Sequence, residues 1–276
     1  MNSLKVLILC GRSPRHLYVA NKLCEGTDVL AIVQETGSDL NWASLKKKLK
    51  PANLVRKISR WLRDRKRYTG NGEASFFFDQ ASPQLTHPAL VKEVPHINHP
   101  DVVKLANELQ PDIIAVFGTS LIKGELLTKG RLGIINLHGG LSPHYRGADC
   151  TFWALYNEEP EQVGCTLHYI NAGIDTGDLI CHISPEVKPE DDELTLFWRG
   201  IKTSAQCYLE LINRIASGEI FGQNQAEKGS LYQVKDRGGI HEKHLAKLLG
   251  QGMLKNINLP TRVKWFPKQP TTSDTP

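Results

Sequence analysis

The chain reads as an α/β protein: a Rossmann-like, mostly parallel sheet with helices on both faces, followed by a short C-terminal hairpin or helix extension. Three observations predict this. Continuous apolar runs at Leu4–Cys10, Val29–Val33, Asp112–Phe117 and Gly133–Leu137 lack the alternation of a half-exposed strand. They read as strands buried on both faces. Segments of helical period separate them, as crossover helices separate parallel strands. The 276 residues, 40% hydrophobic and 23% charged, suffice for one large core and a small appendage.

The first strand ends in the turn Gly11-Arg-Ser-Pro14, and a helix over 15–25 follows. Val29–Val33 is the second strand. Residues 35–95 then break the rhythm. They begin polar, turn strongly basic from Lys46 to Arg67, and pass through Gly70-Asn-Gly72 to Phe76-Phe-Phe78. Leu45, Leu49, Leu54, Val55, Ile58, Trp61 and Leu62 recur among those charges, predicting one or two amphipathic helices broken near Pro51. This basic insert, about 40–80, is either a solvated segment packed by its apolar face, a lid over an anionic substrate, or a membrane or nucleic-acid patch.

Pro100–Gln110 carries Val102, Val103, Leu105 and Leu109 at helical spacing and leads into the strand 112–117. Leu121–Lys129 reads as a short helix before the strand at 133–137, and 150–158 as another. Val163–Ile170 and Leu179–Ile183 are strands flanking the loop Gly173–Asp178. Asp192–Ser217 is a long amphipathic helix that closes the main domain, 1–217. The extension, 218–268, holds a strand or hairpin at Leu231–Lys235 and a short helix over 240–256. The polar tail 269–276 is expected to be disordered.

Composition excludes several classes. No apolar run approaches the twenty or so residues of a spanning helix. Leu4–Cys10 resembles the core of a signal peptide but lacks a small-residue cleavage site, so a strand and a cytoplasmic location are expected. The six cysteines form no CxxC pair and show no zinc spacing. They read as buried free thiols in a reducing compartment, with no metal expected. A net charge of +5 is too mild to indicate nucleic-acid binding by itself.

The chemistry concentrates in Asn136-Leu-His138-Gly-Gly-Leu-Ser-Pro-His-Tyr-Arg146-Gly147 and Gly173-Ile-Asp175-Thr-Gly177. Asn136 and His138 are two apart at the carboxyl end of a predicted parallel strand, where side chains share a side and where open α/β sheets bind ligands. Asp175 stands at the tip of a glycine-bracketed loop, where Gly173 and Gly177 permit a sharp turn and close approach to a ligand. An amide, an imidazole and a carboxylate brought together can stabilise an oxyanion and move a proton, which acyl transfer to an amine requires.

Asn136-x-His138, Leu141-x-Pro143-x-x-Arg146-Gly147, Trp153-Ala154, Gly164-x-Thr166-x-His168 and Asp175-Thr-Gly177-Asp178, in that order, resemble the folate-dependent formyltransferases over about 111–183. That family includes methionyl-tRNA, glycinamide ribonucleotide and sugar N-formyltransferases. The resemblance implies N10-formyltetrahydrofolate as co-substrate, with Asn136, His138 and Asp175 as the catalytic residues. Asn136 and a protonated His138 would stabilise the oxyanion, and Asp175 would favour imidazolium and help relay protons. It implies a folate site around Phe117, Gly118, Ser120, Leu121, Ile122, Ile174 and Asp178. The acceptor is expected at Arg12, Arg15, Gly139, Gly140, Ser142, Tyr145, Arg146 and Gly147. His168 matches a recurrent family position, as a functional group or as a structural hydrogen-bonding partner.

The sequence departs from many relatives at Gly140-Leu-Ser142-Pro143, where they carry Ser-Leu-Leu-Pro, and at Cys150, where some carry proline. Both changes lie on the acceptor side. Gly229-Ser-Leu-Tyr232-Gln-Val-Lys-Asp236-Arg237 is similar to the segment that follows the catalytic domain in sugar N-formyltransferases. An amino-sugar acceptor, nucleotide-linked, is therefore expected, its diphosphate met by the basic insert. Related sugar enzymes suggest a homodimer. Glycinamide ribonucleotide enzymes carry a Gly-Ser-Asn loop where this chain has Gly11-Arg-Ser-Pro14, and the stretch beyond 217 is short for a tRNA-binding barrel. Those acceptors, or another small amine, are the alternatives. From other classes, a formyltetrahydrofolate hydrolase or a non-catalytic binding protein remains. Family hydrolases carry a regulatory domain ahead of the strand with which this chain begins.

Overall fold

The computed structural model describes residues 3–37, 58, 62, 72–79 and 82–268. Through these the chain runs β1 (Lys5–Cys10), α1 (Pro14–Cys24), β2 (Asp28–Glu35), α2 (Gly72–Phe78), β3 (Val91–Val94), α3 (Pro100–Leu109), β4 (Ile113–Phe117), β5 (Ile134–His138), β6 (Tyr145–Gly147), α4 (Cys150–Tyr156), β7 (Cys165–Tyr169), β8 (Leu179–Ser184), α5 (Glu193–Ala216), β9 (Ser230–Tyr232), α6 (Gly239–Gly250) and β10 (Arg262–Trp265). Local chemistry sets the helix starts. Pro14 opens α1, and His16 Nδ1 accepts the Ser13 N–H. Asp192 and Thr195 cap α5 reciprocally, at 2.8 and 2.9 Å.

The main sheet has the order β10-β8-β7-β5-β4-β1-β2-β3. Strands β3, β2, β1, β4 and β5 are parallel, whereas β7, β8 and β10 join antiparallel. The chain moves outward from β1 to β3, then returns to β4 on the other side of β1. Ligands gather beyond the carboxyl ends of strands at such a reversal. Alternate strand residues feed two cores. Val6, Ile8, Ala115, Ile135 and Leu137 pack with α1 and α5. Leu7, Leu9, Ile114, Val116 and Ile134 pack with α3 on the opposite face.

A third core joins α4 to α6 through Phe152, Trp153, Leu155, Leu245 and Leu254. The extension therefore packs on the main body, and β10 extends its sheet. At the junction, Arg237 is fully buried among Asp149, Glu193 and Glu242, at 3.1, 2.8 and 2.7 Å. Its guanidinium lies 3.7 Å from the Phe152 ring centroid.

The apolar strands and long helices stand where the sequence places them. The segment 121–129 is a single 3-10 turn, Gly124–Thr128, and not an α-helix. Strand β9 pairs in parallel with β6 rather than forming a hairpin, and α6 ends at Gly250. Short strands β3, β6 and β10 lie outside the sequence reading. Phe76 and Phe77 belong to α2, against Trp198 and Tyr18. Most of the basic insert, with the helices expected over 43–68, lies outside the described residues, as does the tail 269–276. Among the described residues no helix is long and apolar enough to cross a membrane.

Candidate active site

Strand β5 presents Asn136 and His138 on one side of its carboxyl end. Its antiparallel partner β7 sets His168 opposite Asn136. The loop between β7 and β8 folds Asp175 back over both. Asp175 Oδ2 lies 3.5 Å from His138 Nδ1, and its Oδ1 lies 3.5 Å from His168 Nε2. The Gly147 N–H donates to Oδ2 at 2.9 Å. Asn136 Nδ2–H donates to His168 Nε2 at 3.1 Å, which leaves its second N–H for another acceptor. His168 Nδ1–H donates to the Tyr169 carbonyl at 2.8 Å.

The surroundings decide the tautomer of His138. Its Nε2 faces the Tyr145 carbonyl at 3.0 Å, so Nε2 carries the proton and Nδ1 turns its lone pair toward Asp175. Burial lowers the His138 pKa, against the pull of Asp175. Burial would raise Asp175, but His138, His168 and the Gly147 N–H together outweigh it and hold the carboxyl well below its usual range. A charged His138 would contribute most to that depression, whereas burial favours the neutral ring. The two tendencies oppose each other across the 3.5 Å between His138 and Asp175, and the Gly147 amide steadies the carboxylate charge.

The group opens into a cleft of about 570 Å³. One wall is Val116–Ile122 after β4, another is Gly173–Asp175, and a third is Leu231–Val234 from the extension. Leu121, Ile174, Leu231 and Val234 are each about two-fifths exposed there, an unusual concentration of solvent-facing apolar side chains.

A family model described as "Formyl transferase" matches residues 30–212. The chain belongs to the formyl transferase family. Methionyl-tRNA formyltransferase of Caldanaerobacter subterraneus subsp. tengcongensis is 31% identical over 154 residues, 55% of this chain and 48% of that protein. The chain thus spans about half the length of the curated relatives it matches. Among solved structures, a 4-N formyltransferase from Francisella tularensis superposes with TM-score 0.55 at 16% identity, covering 88% of this chain and 86% of that one. A sugar N-formyltransferase from Shewanella sp. gives 0.54 at 17% identity, with the same coverage. At such identities these two show a shared fold.

In this formyl transferase the residues expected to contact ligands separate into two groups. Phe117, Gly118, Ser120, Leu121, Ile122 and Ile174 line the cleft, as do Gly139 and Gly147. The others lie off its wall. Asp178 gives its carbonyl to the Tyr169 N–H. Ser142 is completely buried, and Gly140 packs against Cys150 beneath His138. Tyr145 is buried with its hydroxyl on Glu159, its carbonyl serving His138. Arg146 is buried, donating to the Ile174 and Gly229 carbonyls at 3.4 and 2.9 Å. Arg15 is paired with Glu73 at 2.7 Å and Arg12 with Glu93 at 3.5 Å.

Of the two loop glycines, Gly173 lines the cleft and Gly177 does not. The positive φ falls on Asp175 itself, at 51°. A side chain at Gly177 would strike the Tyr169 carbonyl, so that glycine serves backbone packing rather than ligand approach. Several residues with structural influence on the site escaped the sequence reading. Glu35 accepts the Ser120 and Ile97 amides at 2.8 and 3.2 Å, and Asn98 clasps Leu121 and Lys123 at 2.9 and 2.7 Å. Together they fix the apolar wall and engage the Ser120 N–H and the Leu121 carbonyl. Gln225 comes from the extension, where no motif spacing links it to residues 136–175, whereas the Tyr232 wall belongs to the Gly229–Arg237 segment that the sequence singles out.

Proposed function

We propose that this chain transfers a formyl group from N10-formyltetrahydrofolate to a primary amine, the acceptor being a nucleotide-linked amino sugar. The observation that carries the transfer is the meeting of Asn136, His138 and Asp175 at one end of a cleft with an apolar rim. The fit to a folate rests on that rim, since Leu121 and Ile174 offer flat apolar contact to a fused ring beside polar backbone. The donor, when bound, supplies an electrophilic formyl carbon attached to a nitrogen that can depart.

The residues then divide the work. The free N–H of the Asn136 amide donates to the oxygen on which charge develops. His138 Nδ1 takes the proton of the attacking amine while its Nε2–H stays on the Tyr145 carbonyl, which keeps the ring oriented. Asp175 stabilises the imidazolium so formed, held for this by the Gly147 N–H, and the imidazolium would return that proton, through water, to N10 of the leaving folate as the formyl C–N bond breaks. His168 orients Asn136.

Support for an amino sugar comes from the Gly229–Arg237 segment, which is similar to that of sugar N-formyltransferases and whose residues Leu231 to Val234 stand in the cleft wall. A second reading, methionyl-tRNA as acceptor, is favoured by the relatives at 31–34% identity.

The test is incubation with N10-formyltetrahydrofolate and a panel of nucleotide-linked amino sugars, aminoacylated tRNA included. Tetrahydrofolate release and formylated product are followed by mass. Sugar-dependent turnover supports the proposal, tRNA-dependent turnover the second reading, and amine-independent turnover hydrolysis. No turnover with any acceptor overturns the activity.

A further inference from the structure

The Asp175 loop is gripped from behind by the C-terminal extension. Gln225 Nε2 donates to the Asp175 carbonyl at 3.1 Å and to the Gly177 carbonyl at 2.6 Å. The orientation of this amide is fixed by chemistry, because turning it over would set Oε1 against two carbonyl oxygens. Its Oε1 is buried without a partner among the described residues, so the side chain is placed for its donors. Arg146 holds the neighbouring Ile174 carbonyl and ties it to Gly229, another residue of the extension.

The loop's own hydrogen bonds, from the Gly173 N–H and the Thr176 hydroxyl to Asn171 Oδ1 at 2.9 and 2.7 Å, flank Asp175 without reaching it. Asp175 is in the left-handed region, a conformation that costs a residue with a β-carbon on the order of 1 kcal/mol or more. Its carboxylate has no slack: one oxygen serves the Gly147 N–H and His138, the other faces His168. A small rotation of the loop would lift the carboxylate from all three.

We propose that Gln225 is a positioning residue, fixing the Asp175 backbone so that the carboxylate reaches His138 and the Gly147 amide together. The inference rests on the reading above, in which Asp175 acts through His138. It makes the extension part of the active-site apparatus although its glutamine lies fifty residues from Asp175 in sequence.

The test uses the full chain with Gln225→Met, which keeps the length and removes the donors, and Gln225→Glu, which keeps the shape. Two readouts are needed. Steady-state turnover should fall at least about tenfold in kcat with KM for donor and acceptor within about threefold, the signature of misplacement rather than lost binding. In an Asp175→Ala background, Gln225→Met should then change turnover by less than about twofold, because both act through one group.

The second readout is NMR titration of the His138 ring, which needs no substrate. The groups facing that ring are Asp175 and His168 from the β7–β8 region, Arg146 and the Tyr145 carbonyl from β6, and Cys150 from α4. Only the Asp175 contact depends on Gln225 in this proposal. The His138 midpoint should move downward in Gln225→Met, as in Asp175→Ala. A folded Gln225 variant with wild-type kcat and a wild-type His138 midpoint overturns the proposal. Full turnover in Asp175→Ala would instead sink the catalytic reading, with the titration still deciding whether Gln225 sets the contact.

Discussion

Replacing Asp175 with asparagine separates charge from shape at the centre of the site. Asparagine keeps the side-chain outline and an oxygen to accept the Gly147 N–H, so the loop should stay in place. What is lost is a negative charge 3.5 Å from His138 Nδ1. At an effective dielectric near 20 this charge favours an imidazolium by about 4–5 kcal/mol. Solvent weakens it little, since the carboxylate side chain is only 13% exposed. In the proposed mechanism His138 becomes cationic as it takes the amine proton, so most of that energy acts on the transition state. The expected loss in kcat is about 10³-fold, with KM nearly unchanged. Initial rates of tetrahydrofolate release across pH provide the assay. The base must be neutral to act, so the acid limb of kcat/KM reports His138. Burial lowers that pKa and Asp175 opposes the lowering, so Asp175→Asn should move the limb to lower pH. Turnover within about tenfold of wild type, or a loss confined to KM, would refute the assignment of Asp175 to transition-state charge.

Other expectations concern the framework. Arg237→Met leaves Asp149, Glu193 and Glu242 converging without their shared cation. Breaking a buried pair costs about 3–5 kcal/mol, and the melting temperature should fall on the order of 10 °C; a fall under about 2 °C would show that the cluster relaxes freely. Burial holds His16 down to about 3 and His182 down to about 4. Unfolded, each titrates near 6.5, so unfolding takes up protons between those limits and stability falls as pH drops below about 6.5. Two such groups give a slope approaching ~2.7 kcal/mol per pH unit around pH 5, and urea midpoints that stay flat from pH 7 to 5 would contradict it. Gly147 has φ 88°, and a β-carbon there would run into the Tyr232 carbonyl. Gly147→Ala should therefore cost on the order of 1–3 kcal/mol in denaturant unfolding and depress kcat by displacing the amide that holds Asp175; a wild-type kcat with intact folding would count against that amide.

The legible part of the fold is the part written in long local patterns. The runs at 4–10, 112–117 and 133–137 are buried on both faces, so their composition alone marks them as parallel strands. The helices at 100–109 and 193–216 carry apolar stripes that match the faces they cover. Strands β3, β6 and β10 are three or four residues long, and β3 and β10 include exposed polar residues such as Lys92, Arg262 and Lys264. Pairing with a neighbour defines them, and a neighbour is not visible in a local pattern. The site divides in the same way. Asn136 and His138 share a strand end, so their common side was legible. Asp175 was found through motif order. The buried fates of Arg146, Tyr145 and Ser142 were not, because each is engaged by partners that only the fold brings near. Arg146 had the charge expected of an acceptor contact, yet Ile174 and Gly229 hold its guanidinium.

The roles of the extension and of β5 are therefore complementary. Strand β5 supplies chemistry from two residues whose geometry is rigid, since both lie in a strand flanked on each side by neighbours. Asp175 lies on a loop and would be the least certain member of the group. Four contacts compensate: Gly147 on the carboxylate, Arg146 on Ile174, and Gln225 on both Asp175 and Gly177. Gly147 in turn is pinned by β9, whose Tyr232 carbonyl accepts the Ala148 N–H at 2.9 Å, and β9 is flanked by the Arg237 cluster. Each link is an ordinary hydrogen bond or ion pair, worth about 1 kcal/mol singly where exposed and more where buried. Arranged in series, they transfer the stability of the α4–α6 core to the position of one carboxylate. In the proposed mechanism, changes in the cleft wall at 231–234 are therefore limited to those that keep Tyr232 on Ala148, because the strand that lines the cleft there also steadies, through Gly147, the Asp175 carboxylate beside the base His138.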